Sequence, residues 1–199
     1  MFKKGRGTSS PQIPMTAWIR TVEEDAAVGK LAEAYGKVAN ARGTVANIWR
    51  AHSLNPDALE AHLTLYQTLL YGKTGLSRRE REMVAVAVAK ANGCHYCLSH
   101  HADALGRYVK EPGLVPLVAS DYTKAPLQPR ERALMDYCMK LSQHPDKMTK
   151  VDVDALKGHG FTDEEVLDAA LVTGYFNFVN RVTVGLGVSS EDAEKSYKY

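Results

Sequence analysis

The feature that most restricts the fold is a long apolar segment that begins with a helix-capping pattern. Ser77 and Glu80 have the spacing of a capping box, in which each side chain binds the backbone of the other residue. Residues 81–91, "REMVAVAVAKA", then place apolar side chains on nearly every side of a helix, as is typical of a buried helix. The alternation of valine and alanine would also suit a strand, but the capping box and the alanine content favour a helix.

Further helices are predicted on both sides of this segment. One runs from Asn55, an N-cap followed by proline, to Gly72 as its C-terminal cap. A second begins at Gln128, and a third begins at the capping box of Thr162 and Glu165. Apolar residues recur at helical spacing in the first two, as Leu59, Leu63, Tyr66 and Leu70 and as Leu134, Cys138 and Leu141. Residues 110–126 contain three prolines, which predicts a loop with at most a short helix.

The sequence therefore predicts an all-α fold, and it also contains a weak internal repeat of one helix pair. A shift of 85 residues aligns the two capping boxes. The matched pairs include Ser77 with Thr162, Glu80 with Glu165, and Asn92 with Asn177. Where the first copy has Cys94, Cys97 and His101, the second copy has only apolar residues. We expect the polar chemistry to lie in the first copy.

Composition excludes several classes of protein. The 199 residues include 25 basic and 23 acidic side chains, and a net charge of +2 gives no reason to expect nucleic-acid binding. Neither a run of 18 apolar residues nor the apolar core of a signal peptide is present, so we expect no membrane span and no export. We therefore expect a cytoplasmic protein, with a flexible arm at residues 1–14 and a single helical domain at residues 15–199.

Cysteine and histidine cluster in residues 92–101, "NGCHYCLSHH". Because asparagine and glycine break the preceding helix, Cys94, Cys97 and His101 fall on one face of the next helix. The chain has three cysteines, whereas a secreted disulfide framework normally has an even number. In a reducing compartment a C-x-x-C pair more often carries out redox chemistry or binds a metal than it stabilises a fold.

The chemistry of this cluster has several interpretations. Cys97 lies in the first helical turn, where backbone N–H groups and the helix dipole favour a thiolate, and His101 can exchange a proton at neutral pH. Glu82 lies on an apolar side of its helix, where it either holds His101 or reaches solvent. A zinc site would need a fourth ligand beside Cys94, Cys97 and His101, and an inert pair of thiols is a further alternative. The residues that could line the site are His95, Tyr96 and His100.

The remaining polar side chains have simpler interpretations. Cys138 lies on an apolar helix face and is predicted to be a buried hydrophobe. His52 and His62 have no partners that the sequence identifies, so we expect each to be a core or surface residue rather than a catalytic one. These assignments leave the C-x-x-C segment as the candidate site.

The spacing Glu82-x11-Cys94-x2-Cys97-x3-His101 resembles the signature of the alkylhydroperoxidase D-like (AhpD-like) group, within the carboxymuconolactone decarboxylase superfamily. Residues 75–101 are most similar to its peroxidase-related branch, and the resemblance covers about residues 55–187. It implies an all-α fold of helix-pair repeats and a homo-oligomer, often a trimer or hexamer. Better-known members have a histidine two places after the first cysteine, where this chain has Tyr96.

The resemblance also implies residue roles. Cys97 would be the peroxidatic cysteine, Cys94 the resolving one, and Glu82 with His101 the proton relay. We therefore expect a thiol-dependent alkyl hydroperoxidase in antioxidant defence, which takes a hydroperoxide substrate and an external dithiol or thiol reductant and needs no cofactor. The alternatives are a disulfide oxidoreductase that uses the same pair, and a non-catalytic helical protein that binds zinc or another ligand.

Overall fold

The computed structural model describes residues 15–191, and within them the chain forms nine α-helices and no strand. The helices are α1 (Gly29–Arg42), α2 (Asn47–Arg50), α3 (Pro56–Tyr71), α4 (Arg78–Ala91), α5 (His95–Leu105), α6 (Leu114–Asp121), α7 (Pro129–Gln143), α8 (Lys150–Gly158) and α9 (Asp163–Gly185). The predicted all-α class is confirmed. The predicted arm, residues 1–14, and the end of the predicted domain, residues 192–199, lie outside the described residues.

Helix α4 lies at the centre of the fold. It packs against α5, α6, α7 and α9, and every residue from Glu80 to Ala89 is buried. Its capping box forms as predicted, since Ser77 accepts a hydrogen bond from the backbone N–H of Glu80 and the Glu80 carboxylate accepts one from the N–H of Ser77. A helix surrounded by other helices needs apolar side chains all round, which explains the "VAVAVA" sequence.

The other predicted helices are also present. Asn55 caps α3, and α3 ends before Gly72. The proline-rich residues 110–126 contain the eight-residue helix α6 and a single 3-10 turn at Tyr122–Lys124. Thr162 caps α9 through a capping box. Helix α1 was not predicted. Its N-cap residue, Val28, makes no side-chain hydrogen bond to the helix, so the sequence carries no start signal there.

The two copies of the repeat pack against each other. The side chain of Asn92 donates to the side chain of its repeat partner, Asn177, with an N–O distance of 3.1 Å. The paired glutamates Glu80 and Glu165 both bind the guanidinium of Arg130, at 3.1 and 2.7 Å. The copies differ at one point, because α4 ends near Asn92 while α9 continues unbroken to Gly185. The break in the first copy positions the cysteines.

Among residues 15–191 no helix is long and apolar enough to cross a membrane.

Candidate active site

The turn between α4 and α5 places Cys94 at a helix end. Gly93 has φ +65°, in the left-handed region that favours glycine, and this turn lets the chain start a new helix. Cys94 is the N-cap of α5, and its Sγ accepts a hydrogen bond from the backbone N–H of Cys97 at 3.3 Å. Both cysteines are free thiols and nearly inaccessible, with exposed fractions of 1% for Cys94 and 4% for Cys97.

Cys97 has a second polar neighbour on α9. Its Sγ lies 3.7 Å from Oγ1 of Thr183, so the single proton of the Cys97 thiol can be directed either at this oxygen or at Sγ of Cys94. The Thr183 hydroxyl donates its own proton to the carbonyl of Val179 at 2.7 Å, so its oxygen is available as an acceptor. Thr183 carried no signal in the sequence, because a single threonine in a long helix forms no motif.

The two thiols differ in their electrostatic environment. A hydrogen bond from the Cys97 thiol, together with the cap N–H, lowers the pKa of Cys94 despite its burial. The same thiol–thiol hydrogen bond, together with burial, raises the pKa of Cys97 above its ordinary value. The hydrogen bonds from the Cys97 thiol and from the N–H at the helix end therefore both favour a thiolate on Cys94. The sequence had predicted instead that the first turn favours a thiolate on Cys97. The difference arises because the backbone N–H of Cys97 donates to Sγ of the cap residue, Cys94.

Glu82 and His101 form a buried hydrogen-bonded pair. Packing of α4 against α5 brings Nδ1 of His101 to 2.6 Å from Oε2 of Glu82, which is fully buried at 0% exposure. The guanidinium of Arg78 lies 2.6 Å from the other carboxylate oxygen. Because a carboxylate only accepts, Nδ1 of His101 holds the proton, and Nε2 of the neutral ring is the basic nitrogen.

The ion pairs keep Glu82 charged. Burial alone would raise its pKa, but His101 and Arg78 more than offset burial and hold the pKa below its ordinary value. An ionised Glu82 accepts the hydrogen bond from Nδ1 of His101, so Nε2 is the nitrogen that can take up a proton. Glu82 therefore contacts His101 and does not reach solvent, which was the alternative interpretation.

A pocket of about 50 Å³ opens beside Cys97. Helices α2, α3, α5 and α9, with the residue before α2, form its walls. The lining residues are Ala46, Ile48, Trp49, His62, Tyr66, Tyr96, Cys97, His100, His101, Tyr175 and Val179. Cys97 is part of this lining, whereas Cys94 is not. The volume is enough for one or a few water-sized groups. A small electrophile in the pocket would therefore meet Cys97 first, with His101 in the same wall.

Of the three residues expected to line the site, two do so. Tyr96 and His100 are pocket residues, whereas His95 is exposed and is not part of the lining. The carboxylate of Glu191 holds both of them, accepting from the Tyr96 hydroxyl at 2.6 Å and contacting Nε2 of His100 at 2.8 Å. It also accepts from the backbone N–H of Asn47 at 2.8 Å. Glu191 follows the last helix and carried no signal in the sequence.

His62 is also part of the pocket wall. Its Nε2 lies 3.0 Å from the hydroxyl of Tyr175, and its Nδ1 lies 3.3 Å from Nε2 of His52. His62 is buried, which agrees with the first of the two predicted positions, core or surface. The sequence did not indicate that His62 and Cys97 line the same pocket. The contact with Tyr175 spans 113 residues, and no local pattern identifies such a pair.

Cys138 lies away from this site, in the hydrophobic core. It is fully buried, and burial raises its pKa to about 12, so the prediction of a buried hydrophobe is confirmed. No group of three or more histidine, cysteine, aspartate or glutamate side chains within residues 15–191 is arranged to hold a metal ion.

Comparisons with known proteins find matches both to the sequence around the site and to the fold. A sequence profile of the carboxymuconolactone decarboxylase family matches residues 56–109, which include Glu82, both site cysteines and His101. A crystal structure of an alkylhydroperoxidase AhpD core, an uncharacterized peroxidase-related protein from Ralstonia eutropha JMP134, is 31% identical with a TM-score of 0.82, covering 90% of this chain and 95% of that one. An uncharacterized peroxidase-related protein from Silicibacter sp. TM1040 is 30% identical with a TM-score of 0.77, covering 94% and 97%.

A more distant structure has the same fold. The debrominase Bmp8 is 20% identical with a TM-score of 0.73, covering 91% of this chain and 94% of its own. At this identity the likeness concerns the fold alone. The two peroxidase-related proteins, in contrast, match in sequence as well as in fold over nearly their whole length. The chain therefore belongs to the carboxymuconolactone decarboxylase family, among its AhpD-like peroxidase-related proteins.

Proposed function

We propose that the protein is a thiol peroxidase that reduces hydroperoxides with its cysteine pair. One observation carries the proposal: Cys97 lines a small pocket together with His101, whose Nδ1 is held by the buried carboxylate of Glu82. One pocket wall therefore contains both a thiol and a base of fixed tautomer. Cys94 lies next to Cys97 but outside the pocket lining, as a resolving thiol would.

The first step is attack on the peroxide. Nε2 of His101 takes the proton of the Cys97 thiol, and the thiolate attacks the terminal oxygen of ROOH. An S–O bond forms and the O–O bond breaks, which gives a sulfenic acid on Cys97 and an alkoxide. The imidazolium of His101 then returns the proton to the alkoxide, which leaves as ROH. The raised pKa of Cys97 makes a base necessary for this step.

The second step forms the disulfide. The sulfur of Cys94 attacks the sulfenic sulfur of Cys97, an S–S bond forms, and the hydroxyl group leaves as water after gaining a proton. Overall, the two thiol hydrogens end in one molecule of ROH and one of water. The lowered pKa of Cys94 suits this second attack, because a thiolate is the stronger nucleophile. An external dithiol must then reduce the disulfide for another turnover.

Thiol counting tests the proposal. We expect reduced protein treated with one equivalent of hydrogen peroxide or tert-butyl hydroperoxide to lose two of its three thiols. Peptide mapping by mass spectrometry should place the new disulfide between Cys94 and Cys97 and find Cys138 reduced. Loss of no thiol, or of all three, would refute the proposal. Loss of two thiols with oxidised glutathione but not with either peroxide would instead support a disulfide oxidoreductase.

A second candidate is the reductive dehalogenation of a small aromatic ring. Four aromatic side chains, Trp49, Tyr66, Tyr96 and Tyr175, line the pocket and could pack against a planar ring, but the pocket of about 50 Å³ must widen to admit one. A single-residue variant of the debrominase Bmp8 has been crystallised in complex with 2,3,4-tribromopyrrole. In this reaction a carbon–bromine bond becomes a carbon–hydrogen bond, bromide leaves, and the two thiols become a disulfide. Bromide release from tribromopyrrole in the presence of dithiothreitol tests it, with the Cys97→Ser protein as the blank.

A further inference from the structure

A chain of three hydrogen bonds runs from Tyr175 in the pocket wall through His62 and His52 to the carbonyl oxygen of Ile48. Its polarity is fixed at the Ile48 end. Nδ1 of His52 lies 2.9 Å from the carbonyl oxygen of Ile48, which can only accept, so this nitrogen holds a proton. In a neutral His52 the other nitrogen, Nε2, is then an acceptor. It lies 3.3 Å from Nδ1 of His62, which must therefore donate to it.

The same reasoning fixes the next bond. Because Nδ1 of His62 holds a proton, Nε2 of the neutral ring is an acceptor, and the Tyr175 hydroxyl 3.0 Å away donates to it. Both rings are neutral at ordinary pH, since burial lowers the pKa of His52, and burial with the neighbouring His52 lowers the pKa of His62 to about 3. Tyr175, His62 and Cys97 all line the same pocket.

The polarity of the chain determines what Tyr175 can offer to a ligand. A phenol has one proton, and here that proton is directed at His62, so the oxygen can meet a further ligand only as an acceptor. We propose that Tyr175 orients the substrate of the Cys97 pocket by accepting a hydrogen bond from the O–H group of a bound hydroperoxide. This inference rests on the proposed peroxidase function and names the substrate class: peroxides with a free O–H, in preference to electrophiles without a donor.

The role has a chemical reason. An alkyl hydroperoxide has two oxygens, and only attack on the terminal one gives a sulfenic acid with ROH as the leaving group. The terminal oxygen is also the one that carries the proton. An acceptor fixed in the pocket wall therefore distinguishes the two oxygens, and holding the reacting oxygen in one orientation is a recognised source of rate.

The test compares two electrophiles on two phenylalanine variants. Tert-butyl hydroperoxide has the O–H group, whereas methyl methanethiosulfonate, a small reagent that transfers a methylthio group to a thiolate, has no donor. Tyr175→Phe should react about three- to tenfold more slowly with the hydroperoxide, as expected for one lost hydrogen bond, and at the wild-type rate with the thiosulfonate. Tyr122→Phe is the matched control, because it also removes a hydrogen-bonded phenol hydroxyl, the one that donates to Asp136 at 2.8 Å, and Tyr122 is not part of the pocket lining.

The outcomes separate this inference from the proposed function. A wild-type protein that reacts with the thiosulfonate but not with either peroxide overturns both. An active wild type whose hydroperoxide-to-thiosulfonate rate ratio is the same in Tyr175→Phe, or falls equally in Tyr122→Phe, overturns the role of Tyr175 alone. Nitrogen-15 NMR of the histidine rings gives an independent check: His52 and His62 should both carry their proton on Nδ1. A proton on Nε2 of His62 would reverse the polarity and overturn the inference.

Discussion

The backbone N–H of Cys97 donates to Sγ of Cys94 at 3.3 Å, so the sulfur at the start of helix α5 belongs to Cys94. The sulfur that reaches the pocket belongs to Cys97. Activation by the helix end and access to a ligand are therefore divided between the two cysteines. In the proposed reaction, His101 removes the proton of the Cys97 thiol. The hydrogen bond at the helix end prepares Cys94 for the second attack.

The two cysteines should behave differently when replaced singly. We expect Cys94→Ser to react once with hydrogen peroxide and to stop as a sulfenic acid on Cys97, which dimedone traps and mass spectrometry locates. Cys97→Ser should not react at a useful rate, because its remaining site thiol is outside the pocket lining. Cys138→Ser is the matched control. An adduct on Cys94 that forms in Cys97→Ser at the wild-type rate would show that the roles are reversed.

The pair of Glu82 and His101 should control the first step. His101→Ala should slow sulfenic acid formation roughly 100-fold, the ordinary contribution of a general base, as followed by stopped-flow mixing with hydrogen peroxide. Glu82→Gln should slow it in the same direction, because the charge that stabilises the imidazolium is lost. Glu80→Gln on the same helix is the control, since Glu80 pairs with Arg130 and is not part of the pocket lining. An unchanged rate in His101→Ala would exclude the proposed relay.

Glu191 should make the stability of the protein depend on pH. Burial would raise its pKa, but His100, Tyr96 and the backbone of Asn47 more than offset burial and hold the pKa below its ordinary value of 4.5. The ionised carboxylate therefore stabilises the folded state above pH 4.5, and this stability is lost as the pH falls through the lowered pKa. Urea unfolding of Glu191→Gln should give a lower free energy of unfolding at pH 7 and a weaker dependence on pH below 5.

Replacement of an exposed carboxylate provides the comparison for that experiment. Glu33→Gln on α1 should keep the wild-type pH dependence, because Glu33 is exposed and lies outside the Glu191 contacts. If Glu191→Gln unfolds with the same free energy and pH dependence as the wild type, the three hydrogen bonds to Glu191 do not stabilise the fold.

An exposed apolar face on α9 predicts self-association. Leu167, Leu171 and Phe178 lie on one side of this helix with exposed fractions of 58, 43 and 46%. We expect a second copy of the chain to cover them, as the resemblance implied a homo-oligomer. Multi-angle light scattering should give a mass above one chain at micromolar concentration, and Leu171→Glu should lower it. Val151→Glu, at an exposed residue on α8, is the control. A monomeric wild type would contradict this prediction.

Local sequence patterns predicted much of the fold. Capping boxes at Ser77 and Thr162 fix where α4 and α9 begin, because the cap bonds join residues three apart. The apolar character of α4 predicted its burial, and the Asn92-Gly93 break predicted a new helix near Cys94. Helical spacing also predicted that Cys97 and His101 share one face of α5, and both line the pocket. These features depend on residues within one or two helical turns of each other, so they can be recognised from the sequence alone.

Tertiary packing decided the rest of the site. Tyr175 meets His62 across 113 residues, and Glu191 meets Tyr96 across 95, through the packing of α9 and its following segment beside α3 and α5. Which cysteine faces the pocket also depended on where those helices leave an opening. Helical periodicity gives the side of a helix on which a residue lies, but not which distant side chain lies opposite. That choice is made only when the packed helices bring separate polar groups close enough to satisfy one another's hydrogen bonds.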